Sequence, residues 1–136
     1  MAETLRLEII TPQATALSED VHMVTLPAIE GEIGVYPLHM HLITQIVPGE
    51  MIVTKDGVER AFAVGEGLVE ITNHRVSIVT DMAIAAEQID ESLVEAARQR
   101  AAARLREKIS DEEVASVNAS LARSLAMLQV KRRRRL

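Results

Sequence analysis

The sequence predicts an all-β sandwich or flattened barrel of about nine to ten antiparallel strands over residues 1–86, followed by a two-helix hairpin with a basic tail over residues 87–136. Three observations carry this. Up to Ala86, Gly, Pro, Asn or Asp interrupts the chain roughly every 5 to 10 residues, and the pieces between alternate apolar with polar, the period of a half-buried strand. No stretch of this half is long enough for a crossover helix, so its strands are expected to pair antiparallel. From Gln88 onward there is no Gly or Pro, alanine becomes frequent and the apolar positions recur at helical spacing.

The strands follow in order. Leu5, Leu7 and Ile9 alternate with Arg6 and Glu8. Glu30-Gly31-Glu32-Ile33-Gly34 reads as a turn and bulge, and Gly65-Glu66-Gly67 as a bend between strands. Met51 to Thr54 and Val58 to Val64 flank Lys55-Asp56-Gly57, where Asp-Gly supplies the positive φ angles of a tight hairpin turn. Leu68 and Glu70, with Val76 and Ile78, flank a second turn at Asn73-His74.

Asp90 is the expected N-cap of the first helix, with Ile89 and Val94 forming a hydrophobic staple across it. That helix is expected to run to about Ile109. Ser110-Asp111-Glu112-Glu113 opens the second with a capping box and acids at the positive end of the helix dipole. Val114, Val117, Leu121, Leu125 and Leu128 form its apolar stripe, facing a narrow stripe of Val94, Ala97, Ala101 and Leu105 on the first helix. Small facing residues bury little area, so the hairpin must lean on the sandwich or on a partner.

Composition narrows the function. Of 136 residues 48% are hydrophobic, enough for a core, but Tyr36 and Phe62 are the whole aromatic complement, which leaves few platforms for stacking nucleobases. The absence of Cys removes disulfides, thiolate metal sites and a cysteine nucleophile. Met1–Arg6 has neither a basic stretch nor an apolar core of the kind a signal peptide carries, and no window approaches roughly 20 apolar residues, so any membrane association is expected through a partner. Residues 1–86 hold 4 Lys and Arg against 12 Asp and Glu, while residues 87–136 hold 11 against 8. Five of those 11 are Lys131, Arg132, Arg133, Arg134 and Arg135, a terminal cluster that reads either as a solvated tail or as a patch for an acidic protein surface, anionic lipid or nucleic acid. The acidic first half would repel a nucleic-acid backbone.

No catalytic constellation emerges. His39 and His41 have no third ligand nearby, and Pro37 marks them as loop residues rather than a metal site. Acids occupy the glycine-rich stretches where a phosphate cradle needs amides or Lys. Ser, His and Asp show no acyl-transfer spacing.

Glu30-Gly31-Glu32-Ile33-Gly34-Val35-Tyr36-Pro37-Leu38-His39, followed by Leu42-Ile43-Thr44 and Pro48-Gly49, closely resembles the signature stretch of bacterial ATP synthase epsilon subunits. Leu5 to Thr11, Gly67 to Ile71, Thr80 to Ala83 and Ile89-Asp90 resemble them too, and the likeness covers almost the whole chain. The resemblance implies a non-catalytic rotor subunit without a cofactor, peripheral on the cytoplasmic face of the bacterial inner membrane. Its sandwich would sit beside the gamma shaft and on the membrane ring. Its helices would fold down on the sandwich or extend toward the catalytic alpha and beta subunits, where they restrain ATP hydrolysis. By this resemblance and the punctuation of Gly31, Gly34 and Pro37, Glu32, Tyr36 and His39 are expected in a rotor-facing loop. Lys131 to Arg135 are expected to grip the catalytic subunits.

Three departures matter. The family usually has Gly-His-Ala-Pro after the proline, where this chain has Leu38-His39-Met40-His41, and a Gly pair where this chain has Glu66-Gly67. In members that sense ATP, Arg-Ala follows Ile-Asp two residues on; after Ile89-Asp90 this chain has Leu93-Val94, so no ATP site is assigned. The reading from another class is a stand-alone adaptor bridging two proteins.

Overall fold

Among the described residues, alternation of inward apolar and outward polar side chains produces ten strands in one sheet. The computed structural model describes residues 3–134. The strands are β1 (Leu5–Ile10), β2 (Thr15–Val21), β3 (Met23–Ala28), β4 (Gly31–Val35), β5 (Leu42–Ile46), β6 (Gly49–Lys55), β7 (Val58–Val64), β8 (Gly67–Ile71), β9 (Arg75–Thr80) and β10 (Ala83–Ala85). A turn of 3₁₀ helix over Ala86–Gln88 leads to α1 (Glu91–Arg104) and α2 (Asp111–Arg133). The strand order is β10-β7-β6-β3-β5-β8-β9-β1-β2, with β4 paired to β3 beside this path.

The sheet rolls until its two ends meet. An ion pair between Arg60 of β7 and Glu19 of β2 bridges them, and the His22 amide after β2 donates to the Thr54 carbonyl of β6 at 2.8 Å. Inside lies a core of Leu, Ile, Val and Met, in which Leu7, Ile9, Leu26, Ile46, Met51 and Ile78 are fully buried. Each such side chain contributes about 1.5–3 kcal/mol of gross hydrophobic stabilisation.

The observed ladders amend the expectation in two places. β1 pairs with β9 in parallel, Leu7 opposite Val76 and Ile9 opposite Ile78. The whole intervening sheet serves as the connection between them, so no crossover helix is required. Glu30 to Gly34, expected as turn and bulge, is mostly strand: only Ile29-Glu30 forms the turn, and β4 pairs with β3 from Ala28–Gly31 to Val24–Val35. Ile33 and Val35 explain this, because both turn toward the core. The Asp56-Gly57 turn is as expected, with φ of 51° and 78°, the signs a type I′ turn requires. At the bend before β8, a Cβ on Gly67 would lie 2.0 Å from the Val79 carbonyl oxygen, so only glycine fits.

β7 decides where the hairpin lies. Phe62 and Val64 enter the barrel core, while Ala61 and Ala63 point outward and form a second cluster with Met82, Ala86, Ile89, Ala126 and Val130. Alanines let α2 approach the sheet closely but bury little area. The hairpin therefore rests folded down, α2 against β6 and β7 and α1 against α2.

Asp90 caps α1 as expected, accepting from the Ser92 and Leu93 amides at 3.1 and 3.3 Å. Ile89 and Val94 join the same apolar cluster. α1 ends at Arg104, short of Ile109. The amides of Arg106 and Glu107 bond the carbonyls three residues back, tightening the last turn, and Arg104 pairs with Glu107 and Glu113 across the connection. Ser110 caps α2 through the Glu113 amide at 3.2 Å, but the capping box is only half closed because the Glu113 carboxylate is turned to Arg104 at 2.6 Å. In α2 the buried positions are Ser124, Ala126, Leu128 and Val130, an arc centred near Met127. Leu125, expected on the stripe, is 48% exposed: at 100° per residue it points to the opposite side.

Candidate partner-docking surfaces

The first surface is apolar and lies on the outside of the barrel. Ile10 of β1 stands opposite Val79 of β9, which stands opposite Leu68 of β8, so the three form a row across adjacent strands. They are 40%, 55% and 57% exposed. With Pro12 and Gly67 they line a shallow groove of about 540 Å³. Ile43 of β5, 67% exposed, lies one register step along, opposite Glu70. Sequence reasoning missed this row, although the signal was there. Ile9-Ile10, Leu68-Val69 and Ile78-Val79 each break strict alternation, and in a strand one member of an apolar doublet must point outward.

The second surface holds three predicted residues, but not in one loop. Glu32 is exposed within β4, opposite Pro27. Tyr36 and His39 lie past the other end of that strand, Tyr36 about 13 Å of extended chain from Glu32. Tyr36 is 59% exposed over a groove shared with Pro37, Met23 and His22. His39 donates from Nδ1 to the Met40 carbonyl at 2.7 Å. Between them Leu38 has φ of 67°, while its amide donates to the Asn73 carbonyl at 2.6 Å. Among the described residues no cluster of three or more metal-ligating side chains occurs.

The third surface is the basic tail, which is engaged rather than free. Lys131 Nζ donates to the Ala86 carbonyl at 3.2 Å. Arg132 reaches Glu91 at 2.8 Å and Glu95 at 3.4 Å. Arg133 and Arg134 both hold Glu50 of β6, at 2.9 and 3.2 Å, and the Glu50 side chain is only 7% exposed. Arg135 lies outside the described residues. Farther back along α2, Arg123 pairs with Asp81 at 3.0 Å.

Ile89 and Asp90 serve structural ends, the first buried and the second capping α1, while Leu93 is 67% exposed. The Ser92 hydroxyl, donating to Asp90 at 2.8 Å, and the Leu93 amide hold the Asp90 carboxyl below its ordinary value of 3.8. Arg98 does the same to Glu95, below 4.5.

A rolled β-sheet carrying a helical hairpin on one side, with an apolar row exposed elsewhere, defines a small β-sandwich protein with open surface. The model for the β-sandwich domain of the ATP synthase delta/epsilon chain matches residues 4–86, and the chain belongs to the ATP synthase epsilon-chain family. It is 39% identical to the ATP synthase epsilon chain of Herpetosiphon aurantiacus, over 96% of each chain, and 35% identical to that of Halorhodospira halophila, over 93% of this chain and 91% of the relative. Its fold matches a chain in the mitochondrial ATP synthase of Euglena gracilis, with a TM-score of 0.75 at 22% identity over 91% of this chain and 79% of that one. A chain in the central stalk and c-ring structure of the Tetrahymena thermophila enzyme matches with a TM-score of 0.64 at 13% identity, over 93% and 96%. No helix among the described residues is long and apolar enough to cross a membrane.

Proposed function

We propose that this chain is a non-catalytic rotor subunit of the central stalk, coupling proton flow to ATP synthesis and restraining ATP hydrolysis through its hairpin. The observation that carries this is the row of Ile10, Val79 and Leu68, exposed on a barrel whose hairpin covers β6 and β7 instead. A contiguous apolar face left open on a small domain marks a partner site, and the shaft is the partner that the family supplies. Glu32, Tyr36 and His39 then face the membrane ring, which places the chain peripherally at the cytoplasmic side of the membrane. When the hairpin extends, Lys131 to Arg135 become available to acidic surface on the catalytic subunits. Relatives matched over nearly their whole length support this reading above a stand-alone adaptor.

Leu68→Asp with Val79→Asp tests it. Both side chains are more than half exposed, so the isolated variant should keep its melting temperature. Retention on the detergent-solubilised complex should fall at least tenfold. Full retention would sink the assignment of this face.

A further inference from the structure

Glu50 is at odds with its position. It sits on β6 with its side chain 7% exposed, and a buried carboxylate must be paired to be tolerated. Its partners come from Arg133 and Arg134, 83 and 84 residues away in sequence, at the far end of α2. Both guanidiniums are themselves more open, with side chains 59% and 36% exposed. The apolar anchors of α2 are few: Leu128 and Val130 are buried, and four of the seven buried residues in the cluster around Val130 are alanine.

We propose that Glu50 with Arg133 and Arg134 is a latch that holds the hairpin down and masks the basic tail. The asymmetry of exposure makes it work in one direction. When the hairpin lifts, the arginines lose little, being already close to solvent, while the cover over Glu50 is removed and its carboxylate hydrates. In the folded state Arg133 and Arg134 are thus neutralised by Glu50, with Arg132 held in parallel by Glu91 and Glu95. The tail presents its charge to any other acidic surface only once the latch has opened. The identity of the surface that receives the hairpin does not enter the argument.

The test uses the full chain alone. Because it has no Cys, Val58→Cys and Gln129→Cys, both exposed positions, accept a donor and acceptor dye, and energy transfer reports the fraction of molecules with the hairpin lifted. Arg133→Ser with Arg134→Ser, on the outermost turn of α2, leaves the barrel core untouched and should raise the lifted fraction about tenfold. Glu50→Gln should do the same. The three changes combined should give no more than the larger effect, because interacting groups are non-additive. Rising salt should open the parent more than the serine variant, which among the described residues keeps only the Arg123–Asp81 pair between α2 and the barrel strands and their turns. An unchanged lifted fraction in the serine variant, or effects of Glu50→Gln and the serines that multiply, would overturn the latch.

Discussion

The barrel and the hairpin are built from different materials. The barrel core is branched and large, with Leu7, Ile9, Leu26 and Ile46 fully buried and every strand paired to a neighbour. α1 buries no residue completely, and α2 buries Ser124, Ala126, Leu128 and Val130. Long-range ion pairs supplement this thin seam, as where Arg123 meets Asp81 with side chains 33% and 37% exposed. A pair that open contributes only roughly 0.2–1 kcal/mol and is screened by salt. The lesson is that one sequence encodes a part held by the volume of its core and a part held by a few small contacts and charges.

The largest effect should sharpen that contrast. Leu7→Ala removes a fully buried barrel side chain and should cost about 2–5 kcal/mol, read as a lower urea midpoint for the strands. Leu128→Ala, also buried but on α2, should move that midpoint by less than about 1 kcal/mol, because the strands unfold after the hairpin has gone. Equal shifts in the two variants would break the comparison.

A smaller effect belongs to Leu38, where φ of 67° puts a leucine in the left-handed region. The steric cost is about 1–2 kcal/mol, against about 0.4–1 kcal/mol for the extra freedom glycine has when unfolded. Since Leu38 is 60% exposed, Leu38→Gly should raise stability by about 0.5–1 kcal/mol. A lower melting temperature would show that the side chain packs more than its exposure indicates.

The smallest effect is on the first turn of α1. Hydrogen bonding holds Asp90 below 3.8, and Arg98 holds Glu95 below 4.5. A depressed carboxyl pKa stabilises the fold above the unfolded value and loses that contribution as pH falls through the folded one. The Ser92 and Leu93 amide resonances should therefore shift toward unfolded positions below about pH 4, before the strand resonances of β1 and β9 move. Simultaneous movement would mean that hairpin and barrel respond as one unit.

Much of this was legible in the sequence, because period 2, period 3.6, the Asp-Gly turn and the Asp90 cap are local signals. Leu125 was misplaced because burial on α2 depends on being flanked by both α1 and the sheet, which periodicity does not encode. Glu32 and His39 were put in one loop because Gly31, Gly34 and Pro37 punctuate like turns, whereas Ile33 and Val35 seek the core and draw the stretch into β4. Glu50 could not be singled out, since its meaning comes from arginines more than 80 residues away.

The central claim is that the barrel stands without the hairpin, and the most direct measurement is thermal unfolding of residues 1–86 alone beside the full chain. Removing the hairpin uncovers Ala61, Ala63 and Met82 but takes nothing from the main core. The account predicts one cooperative transition with the near-ultraviolet and far-ultraviolet signals melting together. A truncated chain that keeps strand signal but binds hydrophobic dye and melts without cooperativity would contradict it, and would make the hairpin part of the core.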